Sequence, residues 1–201
     1  FGVKKIIFAS SGGCVYGEPD KLPVAESAPL SPASPYGISK TAGEHYLRFY
    51  YKEYGLKYTA LRYANVYGPR QDPYGEAGVV AIFCGKIIKG ERPTIFGDGK
   101  CVRDYVYCAD VVRANLLAAF GSRLGSYNIS TGVGADVNRI YKMLAEEAGF
   151  NGKPIYGPER KGDIRKTALS NALAKKVLGW APEVGLKEGL RRTLEYFKTL
   201  A

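Results

Sequence analysis

The sequence predicts an α/β protein: part of a parallel sheet flanked by helices, with a smaller α/β region toward the C-terminal end. Three stretches carry that expectation. Lys4 to Ala9 is an almost wholly apolar β-type run that breaks into Ser10-Ser11-Gly12-Gly13, as strands buried on both faces do. Pro35 to Tyr54 reads as one long helix, opened by Ser34 and Pro35 and closed by Gly55. Proline costs nothing in a first turn, serine caps from just outside it, and glycine takes the left-handed position beyond the last turn. Lys57 to Tyr63 is a second β-type run. The order strand, helix, strand is a βαβ unit, whose ligands sit at the carboxyl ends of the strands, here at Ser10 to Gly13.

The remaining elements follow in order. Cys14 to Pro35 is rich in Pro and Ser and reads as a long loop, and Ala64 to Ala77 as another. Gly78 to Lys89 has a helical pattern stopped by Gly90. Thr94 to Phe96 and Val102 to Tyr107 read as two short strands around the turn Gly97-Asp98-Gly99-Lys100, the pattern of a hairpin. Asp110 to Phe120 is a predicted helix and Ser126 to Ser130 a short strand. Asp136 stands near the cap of a helix running to Ala148, and Lys153 to Tyr156 is extended. Ser170 to Leu178 and Leu186 to Leu200 are amphipathic helices, the second with Leu186, Leu190, Leu194 and Phe197 on one stripe.

With 201 residues, 46% apolar and 24% charged, the chain can bury a sizeable core. It contains no apolar run long enough to span a bilayer and no visible secretory signal, so no membrane partner is expected. Cys14, Cys84, Cys101 and Cys108 lie far apart and there is one histidine, His45. Metal-ligand spacing is missing, so no metal is expected, and the thiols are read as reduced in a cytoplasmic protein. The net charge of +10 suits an anionic ligand. Lysine and arginine are dispersed, however, without a basic run, so nucleic acid is not the expected partner.

Tyr36 and Lys40 lie at i and i+4 on the predicted long helix, on one face. An ammonium held beside a phenol favours the phenolate, which makes Tyr36 a candidate general acid/base. His45, nine residues from Tyr36, is about half a turn out of phase and faces away. It is read as a surface or packing residue. Tyr46, Phe49, Tyr50, Tyr51 and Tyr54 cover more of the same helix's circumference than core packing alone needs.

Ser10-Ser11-Gly12-Gly13-Cys14-Val15-Tyr16-Gly17-Glu18, Ser34-Pro35-Tyr36-Gly37-Ile38-Ser39-Lys40 and Leu61-Arg62-Tyr63-Ala64-Asn65-Val66-Tyr67-Gly68-Pro69-Arg70 resemble the extended short-chain dehydrogenases/reductases. Gly97-Asp98-Gly99 with Val102-Arg103-Asp104-Tyr105-Val106, and Gly162-Asp163-Ile164-Arg165-Lys166, extend the resemblance over essentially the whole chain. The nearest subgroup looks like the UDP-glucose (UDP-galactose) 4-epimerases. The resemblance implies that residues 1–64 are the remaining part of a Rossmann NAD-binding domain. It makes 65–201 mainly a nucleotide-sugar-binding region, with about 94–130 returning to the Rossmann domain. It departs at one point. The family's strand, G-x-x-G-x-x-G turn and helix hold the pyrophosphate of NAD, and no such fingerprint occurs here. On the order of a hundred residues of the first half-Rossmann are expected to be missing. The chain alone is then expected to bind NAD poorly and to be inactive.

The roles implied are those of the family. Tyr36 takes the proton of the sugar 4-hydroxyl while hydride passes to NAD; the 4-keto sugar turns over, and hydride returns to its other face. Lys40 partners Tyr36 and contacts the nicotinamide ribose. Ser11 bonds the reacting oxygen, with Ser10 and Gly12 as alternatives for that place and Ser10 also a cofactor contact. The Tyr63 backbone lies near the nicotinamide. Asn65, Val79, Arg103, Arg160 and Asp163 bind the nucleotide sugar, Arg103 clasping its diphosphate. Thr167 falls where some epimerases carry a bulky Tyr, and its smaller side chain implies room for an N-acetyl group. The aromatic helix Tyr36–Tyr54 implies a homodimer. Two sister activities, dehydration and decarboxylation, are weighed beside epimerisation, as are a reductase and a non-catalytic nucleotide-sugar or RNA-binding relative. Gly13-Cys14 stand where dehydratases carry Asp-Glu, which removes the extra proton-transfer groups dehydration needs.

Overall fold

The computed structural model describes residues 2–74, 78–160, 162 and 164–200. In chain order its elements are β1 (Lys5–Ser11), α1 (Gly12–Val15), α2 (Pro35–Tyr54), β2 (Lys57–Tyr63), β3 (Asn65–Tyr67), α3 (Val79–Ile88), β4 (Thr94–Phe96) and β5 (Val102–Tyr107). Then follow α4 (Cys108–Phe120), β6 (Gly125–Ile129), β7 (Gly134–Asp136), α5 (Val137–Ala148), β8 (Ile155–Gly157), α6 (Ala172–Leu178) and α7 (Leu186–Lys198). No helix among the described residues is long and apolar enough to cross a membrane.

The predicted βαβ unit is present: α2 and β2 have their predicted ends, while β1 begins one residue later and runs two residues further than read, to Ser11. Ser34 Oγ accepts the Gly37 N–H at 3.1 Å, Pro35 fills the first position of α2, and Gly55 (φ 69°) closes it by donating to Tyr50 O and Tyr51 O. These are the local interactions expected of a serine cap and a left-handed glycine. β1, β2 and β6 form a parallel sheet in that order, in register from Lys5 opposite Lys57 to Ser11 opposite Tyr63. Ser11 and Tyr63 therefore end side by side at one edge of the sheet.

A second sheet runs β3-β5-β7, with β5 parallel to β3 and antiparallel to β7, and β4 pairs with β8 in parallel. The expected hairpin is therefore corrected. The turn is built as the sequence reads, with Gly97 (φ 69°), Gly99 (φ 70°) and Asp98 Oδ1 accepting the Lys100 N–H at 2.9 Å. Yet β4 and β5 leave it for different partners, because β8 takes the ladder of β4 while β3 and β7 flank β5. The stretch read as a loop from Ala64 contains β3, and Cys14 to Pro35 opens with the single turn of α1.

Two apolar clusters hold these layers. Val15, Leu61, Val106, Ala114, Ile129, Leu169 and Trp180 pack around the first sheet. Phe83, Ile87, Ile140, Leu144, Leu190, Leu194 and Phe197 pack where α3, α5 and α7 meet; three members of the predicted α7 stripe are buried there. Between the clusters the buried Asp104 carboxylate accepts from Thr131 N at 2.9 Å, Thr131 Oγ1 at 2.6 Å, Gly132 N at 2.9 Å and Leu169 N at 3.3 Å. Burial raises its pKa despite those four bonds. Four donor groups from three residues hold the Asp104 side chain, and alternation along β5 turns the neighbouring Arg103 to the opposite side.

Candidate active site

At the carboxyl ends of β1 and β2 lies a cavity of about 560 Å³, lined by Ser10, Ser11, Tyr36, Tyr63, Asn65, Gln71 and Arg103 among others. Tyr36 stands in the first turn of α2 with 53% of its surface exposed. One turn on, Lys40 Nζ is 5.4 Å from the centre of the Tyr36 ring and 5.4 Å from that of Phe8, and it donates to Ala9 O at 3.0 Å. The predicted pair is thus formed as a cation over the ring, with the ammonium pinned to the end of β1.

Close approach sets the wall opposite. A Cβ on Gly37 would stand 2.7 Å from Cys14 O and 3.0 Å from Pro32 Cβ. Only glycine lets α1 lie directly on the start of α2, and this brings the end of β1 beside Tyr36. Three residues compete for the place of the reacting-oxygen ligand. Ser10 is buried and its Oγ donates to Glu44 Oε1 at 2.5 Å. Gly12 is buried, and a Cβ there would run into the Leu169 side chain. Ser11 is half-buried on the cavity wall. Of the three, Ser10 and Ser11 line the cavity and Gly12 does not, and the Ser10 hydroxyl is already engaged by Glu44.

The Tyr63 hydroxyl turns away to Asn115 Oδ1 at 3.0 Å, and burial raises its pKa. Tyr63 nonetheless lines the cavity. Asn65, Gly78 and Arg103 line both this cavity and a second of about 320 Å³, which also takes in Val79, Lys86, Phe96, Cys101 and Arg160. The two adjoin, with Arg103 on the shared wall. Arg160 is exposed, and its guanidinium lies 4.0 Å over the Phe96 ring, a stacked cation where the sequence allowed a solvated one. His45 is on the surface, as expected.

Two further predicted substrate residues stand apart from those above. Asp163 lies outside the described residues. Thr167 is buried, its N–H on Val102 O at 3.0 Å, and is not among the residues lining either cavity. The backbone of Thr167 is held against β5, which draws it into the interior.

Sequence reading missed a buried ion pair beneath the site. Glu44 Oε2 is 2.6 Å from Arg62 Nη2, and both side chains are only 7% exposed. Arg62 also donates from Nε to Glu44 Oε1 at 2.9 Å and from Nη1 to Tyr16 OH at 2.7 Å. Burial pushes the Glu44 carboxyl up, but the Arg62, Ser10 and Ser126 bonds outweigh it and leave the pKa below the ordinary value of 4.5. The signal was present: Glu44 is four residues past Lys40, and Arg62 sits alone in an apolar strand. Phe96, Cys101 and Gln71 were also passed over. A separate cavity of about 360 Å³ between Tyr74, Lys89 and Phe197 contains none of the predicted residues.

A family model described as the NAD dependent epimerase/dehydratase family matches residues 1–130. The chain belongs to this family. The UDP-glucose 4-epimerase of Mycolicibacterium smegmatis is 46% identical over 198 residues, spanning 98% of this chain and 63% of that protein. The crystal structure of the Thermotoga maritima UDP-glucose 4-epimerase with UDP-glucose aligns with a TM-score of 0.97 at 58% identity, covering 100% of this chain and 65% of the other. The Thermus thermophilus UDP-glucose 4-epimerase in complex with NAD gives 0.92 at 47%, covering 100% and 66%. The chain thus spans a little under two thirds of the length of these relatives. The α/β fold with a partial Rossmann-type sheet, expected from the motifs, agrees with these alignments.

Proposed function

We propose that this chain is the catalytic and sugar-binding part of an NAD-dependent UDP-sugar 4-epimerase. The observation that carries the reading is the meeting of Tyr36 and Ser11 in one cavity whose far wall, at Arg103, opens toward a second cavity. Residues 1–64, with about 94–130, form the cofactor side, and most of 65–201 the nucleotide-sugar side.

The carboxyl ends of β1 and β2 fit the nicotinamide end of NAD. Gly13 leaves the chain low on the cavity wall, the Lys40 ammonium donates to Ala9 O, and Ser10 and Tyr63 line the cavity. Bound there, NAD supplies a reversible hydride acceptor. The chain's own residues handle binding and protons. Ser11 Oγ holds the sugar 4-oxygen, and the Tyr36 phenolate takes its proton and later gives it back. Lys40 keeps its ammonium 5.4 Å from the centre of the Tyr36 ring, beside the proton carrier. Arg103 neutralises the diphosphate with paired N–H donors. Val79, Arg160 and Asn65 border the nucleotide end. Ser11 and Tyr36 hold only the reacting oxygen, so a sugar anchored at Arg103 can present either face.

The exposed side of α2 carries Tyr46, Phe49, Tyr50 and Tyr54, with Phe49, Tyr50 and Tyr54 packed edge-on or tilted at 5.4–6.2 Å. Such a patch supports a homodimer through this helix. The four free cysteines fit a cytoplasmic location. The test is UDP-glucose to UDP-galactose interconversion by the full-length protein carrying this chain, with NAD present. Absence of interconversion at any NAD concentration overturns the reading.

A further inference from the structure

Tyr36, Lys40 and Glu44 recur every four residues along α2, so they form a single stripe facing the sheet. The first lines the cavity, and the second lies over its ring. The third enters a buried polar cluster that touches every strand of the first sheet. Glu44 accepts from Ser10 Oγ on β1 at 2.5 Å, from Arg62 Nε and Nη2 on β2 at 2.9 and 2.6 Å, and from Ser126 Oγ on β6 at 2.9 Å. Arg62 extends the cluster to Tyr16 just past α1, and the Tyr16 hydroxyl donates to Asn128 Oδ1 at 2.8 Å. Each lone pair of the carboxylate has a donor in place, so the cluster is satisfied and stiff.

We propose that Glu44 and Arg62 are positioning residues for the reaction assigned above. Their ion pair fixes α2 in rotation and height against the end of β1. That sets the gap between Tyr36 and Ser11, neither of which they touch. The other contacts between α2 and this end of the sheet are packing at Gly37 and Gly43 and the Lys40 ammonium over Phe8, none of which engages a buried charge. Tyr36 is more than half exposed, Ser10 is the immediate neighbour of Ser11, and Lys40 reaches β1 through a single bond to Ala9 O. A misplacement of about 1 Å at reacting groups costs on the order of a hundredfold in rate, so a clamp one turn behind Lys40 acts on turnover more than on binding. The proposal rests on the epimerase reading for its kinetic part only.

The test uses Glu44→Gln and the double variant Glu44→Gln/Arg62→Met in the full-length protein. Removing one partner of a buried pair strands the other charge, whereas replacing both relieves that cost. The double variant therefore keeps the thermal midpoint near wild type even if the single one is unstable. In both, the kcat for UDP-glucose is expected to fall at least about tenfold with KM within about threefold. Hydrogen–deuterium exchange in peptides covering 8–16 and 34–42 is expected to quicken at least about tenfold, with α5 and α7 unchanged. A double variant that keeps wild-type kcat, or unchanged exchange in those two segments, overturns the proposal. If the wild-type protein does not turn over UDP-glucose, the epimerase reading fails, and the exchange measurement still decides whether the pair orders the two segments.

Discussion

Replacing Tyr36 by Phe removes one oxygen and nothing else from the cleft. The ring is 53% exposed, and its hydroxyl has no hydrogen-bond partner among the described residues. Lys40 addresses the ring face at 5.4 Å and keeps its bond to Ala9 O, so the variant retains the cation–ring contact. Stability is expected to change by less than about 0.5 kcal/mol, as at other exposed positions. Turnover is expected to fall by about 10²- to 10⁴-fold, the range for a lost general acid/base. That corresponds to about 2.7–5.4 kcal/mol of barrier at 1.36 kcal/mol per decade. The assay is UDP-galactose formation with NAD saturating, beside a thermal melt of the same preparation. A kcat loss below about fivefold, with an unchanged melt, would refute Tyr36 as the proton carrier. A large kcat loss accompanied by a large drop in the melting midpoint would refute the geometric premise.

The other predictions concern anchoring, acid stability and packing. Arg103→Met removes a charge-assisted bond of about 1.5–3 kcal/mol, so the KM for UDP-glucose should rise by about ten- to a hundredfold with kcat less affected; an unchanged KM would contradict its place on the diphosphate. Glu44 is held below its ordinary pKa of 4.5 in the folded protein. Its stabilisation is complete above that pH and is lost as pH falls through 4.5 toward the depressed folded value. Asp104, shifted upward by burial, contributes with the opposite sign, so the difference between wild type and Glu44→Gln isolates Glu44. Urea midpoints taken from about pH 6 to about pH 3 should fall more steeply for wild type, and parallel curves would exclude the effect. At Gly189 a Cβ would overlap the Tyr67 hydroxyl and come within 3.1 Å of Tyr107 Cδ2, both rings being buried. Overpacking of about 1–3 kcal/mol set against about 1 kcal/mol of helix propensity makes Gly189→Ala net destabilising; a raised urea midpoint would disprove that.

What the sequence disclosed was what neighbours in the chain decide. The ends of α2 follow from Ser34, Pro35 and Gly55, whose partners lie within five residues. The β1–α2–β2 order follows from apolar runs and their glycine breaks. Pairing of β4 with β8 joins residues about sixty positions apart, and nothing local at Thr94 announces Ile155. Tyr36 and Lys40 stood out because their chemistry is coupled at one-turn spacing. Burial of Thr167 against β5 could not be read locally, because its partner Val102 lies sixty-five positions away. Glu44 and Arg62 escaped notice because a charged residue reads as solvated until burial is known.

Arg103 on the wall between the two cavities gives the cleft the character of a tether with a swivel. On the proposed reading, the tethered end is held by Arg103 and Arg160, while the sugar lobe grips a single oxygen. Discrimination then resides in the carrier rather than in the cargo. UDP without any sugar should compete nearly as well as the whole substrate, and sugars differing away from C4 should be told apart poorly.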